Sequence, residues 1–140
     1  MTRVEFYFNV TDKLAQVTEL CTKAVAKGRQ LTVFTSDSEV NAELQQRLWN
    51  AGATSFLPSM LPHEDAAHMS PIILDTQGDN LLQDDILINL QAEHPLFFSR
   101  FRYLVELVGN DEADKMAARI RFKFYRDRGY QIKSTDVAAK

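Results

Sequence analysis

The order of apolar runs in this 140-residue chain predicts a three-layer α/β domain, with helices flanking a mostly parallel central sheet. Three observations lead there. β-rich apolar runs alternate with amphipathic stretches across residues 4–51. The helical stretches are long enough to serve as crossovers, which favours parallel pairing of the strands they join. Two further apolar runs, "PIILDT" (71–76) and "DILINL" (85–90), read as strands buried on both faces.

Taken in order, "VEFYFNV" (4–10) is a first strand. The stretch 11–28 is a helix with Thr11 as N-cap, an apolar stripe of Leu14, Val17, Leu20, Cys21, Ala24 and Val25, and Gly28 as its stop. "LTVFTS" (31–36) is a second strand, followed by a helix from about Ser38 to Ala51 with the stripe Val40, Leu44, Leu48 and Ala51. A short "TSFLP" segment and a loop bearing His63 and His68 lead to the two buried runs. "FRYLVELV" (101–108) is another strand, and a last helix starts near Asn110 or Asp111 and ends at Gly129. The turn after the first strand, "FNVTDKLAQ", contains no glycine, so the phosphate-cradling loop of nucleotide-binding α/β folds is missing.

The length suits one domain over residues 1–140. Cys21 is the only cysteine, which excludes an internal disulfide and suggests a reducing compartment. No apolar run approaches the ~18 residues of a membrane span, and the alternating pattern begins at once, leaving no room for a signal peptide. A cytoplasmic protein that does not engage membranes is expected.

Charge is unevenly placed. The chain has 16 Lys plus Arg against 19 Asp plus Glu, yet Lys115 to Arg128 holds six cations and one acid. At about 100° per residue, Ala113, Met116, Ala117, Ile120 and Phe124 form an arc expected to face the sheet. Lys115, Arg119, Phe122, Lys123 and Arg126 form a second arc, with an aromatic ring among four cations. Solvation and the helix dipole account for the cations of the last turn, but less well for Lys115, Arg119 and Phe122. A ligand with negative charge and an apolar end fits such a face. Single-stranded nucleic acid stacking on Phe122 and an acidic peptide ending in an apolar residue both meet that description; the acidic remainder of the chain favours the peptide.

On the second helix, Trp49 points away from the apolar stripe. Either "TSFLP" folds back over it, or it anchors a protein partner together with Phe56, Leu57 and Pro58. The case for catalysis is weak: "HEDAAH" (63–68) with Asp75, Asp79, Asp84 and Asp85 matches no metal-ligand spacing, and Cys21 sits among core positions. No catalytic residue, cofactor or metal is expected.

The opening "VEFYFNV", the segment "LWNAGATSFLPS", the strand "DILINL" and above all "ARIRFKFYRDRGYQI" resemble, in order and spacing along the whole chain, the chi subunits of bacterial DNA polymerase III holoenzyme, clamp-loader accessory proteins. The resemblance implies a Rossmann-like fold without nucleotide binding. It implies a non-catalytic component of a DNA-directed DNA polymerase, a nucleotidyltransferase holoenzyme, in the bacterial cytoplasm and nucleoid-associated through the replisome. It further implies two partners, the psi subunit and the acidic C-terminal tail of single-stranded DNA-binding protein (SSB), with little direct nucleic-acid binding. The tail positions correspond to Val108, Lys115, Arg119, Phe122 and Lys123, with Arg126 continuing the face. Arg119 would take the terminal carboxylate, Val108 and Phe122 the last aromatic side chain, and Lys115 and Lys123 the tail's aspartates. Phe122 stands where family members carry a tyrosine. The psi-facing positions correspond to Trp49 and Phe56, with Leu57 and Pro58 beside them. The alternative is a direct single-stranded nucleic-acid-binding domain that uses the basic aromatic helix.

Overall fold

The computed structural model describes residues 2–35, 37–49, 59–60, 72–76, 78 and 83–139. Along the chain run β1 (Arg3–Val10), α1 (Lys13–Ala26), β2 (Leu31–Phe34), α2 (Ser38–Trp49), β3 (Ser59–Met60), β4 (Ile72–Asp75), β5 (Ile86–Asn89), β6 (Tyr103–Gly109), α3 (Glu112–Asp127) and β7 (Ile132–Asp136). The strands form one sheet in the order β3-β4-β2-β5-β6-β1-β7. Every pairing in it is parallel.

Period-two alternation sorts the strand residues between two cores. On one face Leu31, Val33, Ile72, Leu74, Ile88, Val105 and Leu107 pack with Val17, Cys21 and Ala24 of α1 and Leu44 and Leu48 of α2. On the other, Val4, Phe6, Leu87, Leu104 and Val108 pack with Ala118 and Tyr125 of α3. This is the expected three-layer α/β arrangement. β5 and β6 pair in parallel without an α-helix between them. Phe97, Phe98 and Phe101 of their connection pack on the α3 side and supply the apolar cover that a crossover helix would otherwise give.

Helix ends follow local chemistry. Asp12, rather than Thr11, caps α1: its carboxylate accepts from the N–H groups of Leu14 (3.1 Å) and Ala15 (3.2 Å). An acceptor held off by one more residue would miss those donors. Asp37 acts the same way on Glu39 N–H at 2.9 Å. Gly129, at φ +83, turns the chain out of α3, and Tyr130 N–H closes on the Tyr125 carbonyl at 3.1 Å. β7 and β3 were not expected. β7, "IKSTD", lies at the sheet's edge and carries too few apolar residues for a strand signal.

The stripe expected to bury α3 is wrong. Met116 and Ile120 are 60% and 71% exposed, whereas Ala118, Arg121 and Tyr125 face the sheet. The reason lies across the interface. β6 places Glu106, fully buried, under the helix, where its carboxylate must be met by polar partners. Arg121 Nε donates to Glu106 at 3.0 Å and Tyr125 Oη at 2.5 Å, while the Asn89 amide reaches both carboxylate oxygens at 3.1 Å. A helix rotated by a polar buried pair presents part of its apolar residues to solvent.

Candidate functional site

The rotation of α3 decides which cations stand over which apolar floor, and two anchors fix it. At its first turn, Asp114 accepts from Gly109 N–H at 2.6 Å and from Lys13 Nζ at 3.0 Å, tying the helix to the end of β6 and to α1. Burial pushes the Asp114 carboxyl up, but the Gly109 N–H and Lys13 outweigh it and leave the group below its ordinary value. In the middle, Arg121 pairs with Glu106 and donates to the Ala92 carbonyl at 2.7 Å. Burial raises the Glu106 carboxyl above its ordinary value, with the Arg121 charge and the bonds from Tyr125 and Asn89 acting the other way. Burial, then the neighbouring Glu106, raises the Tyr125 hydroxyl, so it remains a donor.

With α3 so held, a hollow of about 370 Å³ opens between it and the ends of β1, β6 and β7. It is lined by Phe6 and Phe8 of β1, Val108 of β6, Ser134 of β7, and Lys115, Ala118, Arg119 and Phe122 of α3. The floor is apolar: Phe6, Val108 and Ala118 are buried, and the Phe6 and Phe122 rings lie 5.5 Å apart. The rim is cationic. Arg119 is exposed and has no ion pair among the described residues, while Lys115 is only loosely paired with Glu112, at 3.9 Å. An apolar side chain bearing a carboxylate would find both halves of its complement here.

Four of the six cationic-face positions named from sequence, Val108, Lys115, Arg119 and Phe122, thus share one hollow. Lys123 and Arg126 do not line it; both are exposed on the same helix, and Arg126 lies 3.6 Å from Asp127. Sequence reasoning missed Phe6, Phe8, Ala118 and Ser134. The alternation of β1 placed Phe6 and Phe8 on one face, but which face met α3 was not readable from it.

Trp49 is the last residue of α2. Its side chain, together with Phe56, Leu57, Pro58 and the loop from His63 to His68, lies outside the described residues. Among the described residues no three His, Cys, Asp or Glu side chains gather as a metal would need. Cys21 is buried, which pushes its thiol up to about 12. No helix of the described residues is long and apolar enough to cross a membrane. A larger opening of about 850 Å³, bounded by Phe34, Gly78 and the connection from Gln91 to Arg100, carries a single cation, Arg100, and also the carboxylate of Glu93.

Comparison with known proteins gives a consistent answer. The sequence family described as DNA polymerase III chi subunit, HolC, matches residues 1–133. The DNA polymerase III subunit chi of Pseudomonas aeruginosa is 35% identical over 94% of this chain and 94% of its own length. That of Haemophilus influenzae is 30% identical over 95% of this chain and 96% of its own. Among known structures, the C-terminal domain of the DEAD-box protein Dbp5 superposes with a TM-score of 0.66, covering 99% of this chain and 91% of that one. At 11% identity that likeness speaks for the fold alone.

Proposed function

The chain belongs to the DNA polymerase III chi-subunit family, and from that premise we propose that it is an adaptor joining the clamp loader, through psi, to the acidic C-terminal tail of SSB during replication. The observation that carries the reading is the hollow beside α3, where Val108 and Phe122 meet Lys115 and Arg119. The tail's last aromatic side chain enters between Val108 and Phe122, its terminal carboxylate pairs with Arg119, and Lys115 and Lys123 attract its aspartates. Phe122 offers ring area without a hydroxyl, which is sufficient for packing. Arg126 adds charge at the far end of the same helix. The psi-facing positions are Trp49 and Phe56, with Leu57 and Pro58 next in the sequence. Such an adaptor works in the cytoplasm, at the nucleoid, by raising the local concentration of polymerase near coated template; it needs no catalytic group or cofactor of its own.

The test is binding of a fluorescent peptide ending in Asp-Ile-Pro-Phe. Removing a charge-assisted bidentate contact costs about 1.5–3 kcal/mol, so Arg119→Ala should weaken binding roughly ten- to a hundredfold. Amidating the peptide terminus should have a similar effect on the wild type. Peptide binding that is unchanged by both Arg119→Ala and amidation overturns the role given to Arg119. Failure to bind the peptide, with single-stranded DNA held at α3 instead, replaces this reading by direct nucleic-acid binding through that helix. Trp49→Ala should abolish psi binding while leaving peptide affinity intact.

A further inference from the structure

The opposite ends of the same strands gather a second group of cations with a different character. Arg3 at the start of β1, Arg29 just before β2, and Arg102 just before β6 line an open hollow of about 400 Å³ with Asp85 and Tyr103. The sheet brings them together. Arg3 and Ile86 both stand opposite Tyr103 in register, and Arg3 N–H donates to the Arg102 carbonyl at 2.9 Å. The one carboxylate in the hollow is already occupied. Arg29 grips Asp85 with two guanidinium nitrogens, Nε at 2.8 Å, and Gln30 N–H adds a third bond at 3.2 Å. Arg29, followed by the Gln30 N–H and the Arg102 charge, holds the Asp85 carboxyl below its ordinary value even against partial burial. The Arg29 guanidinium also lies 5.0 Å from the centre of the Tyr103 ring, which fixes it further.

Arg3 and Arg102 are left over. Both are exposed, and neither has an ion pair among the described residues, unlike Lys13, Arg29, Arg47 and Arg121. Glu5, two residues along from Arg3, is bonded to Tyr7 and stands beside Lys133 in the β1–β7 register. Adjacent backbone positions therefore bring two guanidinium groups without an ion pair among the described residues to one end of the strands of an acidic protein.

We propose that this edge binds the phosphodiester backbone of single-stranded nucleic acid, with Arg3 and Arg102 each taking a phosphate. The contrast with the hollow beside α3 selects the ligand. There, cations rim an apolar floor suited to a side chain; here the lining has no aliphatic residue, and the planar guanidinium forks match phosphate oxygens. The two sites stand at opposite ends of β6, roughly 20 Å apart at ~3.3 Å per residue, so one does not obstruct the other. Two phosphate contacts make a weak site, in keeping with the little direct nucleic-acid binding that the family resemblance implies.

The measurement is fluorescence anisotropy of a labelled oligothymidylate of about 20 nucleotides with the full-length chain, across roughly 50 to 200 mM salt. Two contacts at about −0.7 each predict a log–log salt slope near −1.4. At ~0.1 M salt each such contact is worth about a factor of five, so Arg3→Ala/Arg102→Ala should lower affinity about 25-fold and flatten the slope. The pair Arg3→Lys/Arg102→Lys keeps the charges and should keep the salt slope, while losing the part of the affinity that the guanidinium forks supply. Both sites are exposed, and an unchanged circular dichroism spectrum confirms that the variants fold. Arg119→Ala should leave oligonucleotide binding unaltered. The proposal is overturned if the wild type shows no saturable binding at low salt. It also fails if Arg119→Ala abolishes binding that the double alanine variant retains, or if an acidic peptide competes as well as the oligonucleotide does.

Discussion

Replacing Arg121 by methionine tests whether a buried ion pair sets the orientation of α3. Arg121 is 2% exposed and Glu106 is fully buried, so the substitution leaves a carboxylate without its cation in the core. Breaking a buried pair by removing one partner costs about 3–5 kcal/mol. At about 2.1 cal/mol/K of unfolding entropy per residue, that lowers Tm by roughly 10–17 °C for a chain of this length. Urea unfolding followed by circular dichroism measures it. The pH dependence supplies a second check. Burial raises the Glu106 carboxyl above its ordinary 4.5 in the folded protein. A folded state that holds its proton more tightly than the unfolded one is favoured below the unfolded value and loses that advantage as pH rises through the folded value. Without Arg121 the folded value rises further. The deficit of Arg121→Met should therefore be largest near neutrality and shrink as pH falls toward and below 4.5. A loss under ~1 kcal/mol at neutral pH, or a deficit that grows on acidification, would refute the assignment. Pairing Arg121→Met with Glu106→Leu should recover much of the loss, because an apolar pair removes the stranded charge.

The exposed face of α3 gives a complementary expectation: Met116→Glu and Ile120→Glu should each change unfolding free energy by no more than about 0.5 kcal/mol, whereas a core position would lose several times that. Asp114→Asn removes a carboxyl held below its ordinary 3.8 by Gly109 and Lys13. The wild type should therefore lose stability as pH falls from 3.8 through that lower value, and the variant should lack this part of its acid sensitivity; denaturant titrations at several acid pH values decide it. Cys21, buried with its thiol pushed up to about 12, should react with a thiol reagent in the folded protein only as fast as the chain opens, and rapidly in denaturant.

Much of the architecture was legible because its signals are local. The apolar runs of β1, β2, β4, β5 and β6, the stripe of α1 and the stop at Gly129 follow from periodicity and turn chemistry. The edge strand β7 was not legible, since a strand paired on one side with little apolar content leaves a weak pattern. The candidate site was half visible. The cations and Phe122 of α3 could be placed on one arc by counting residues, whereas the floor under them joins β1, more than a hundred residues away, to β6 and β7, whose side-by-side placement with β1 only the sheet order sets.

Sequence by itself settled the alternation of strands and helices, the concentration of positive charge near the C-terminus and the likeness to the chi family. Tertiary structure alone decided which side of α3 faces inward. A wheel weighs residues by hydrophobicity and so assigned Met116 and Ile120 to the core. Glu106, contributed by another strand, reverses that weighting: once a carboxylate is buried, satisfying it with Arg121 and Tyr125 outweighs hiding two apolar side chains. The same rotation leaves Arg119 free at the rim of an apolar hollow, and the register of the sheet sets Arg3 beside Arg102. Both arrangements depend on contacts between residues distant in sequence, which no local pattern encodes.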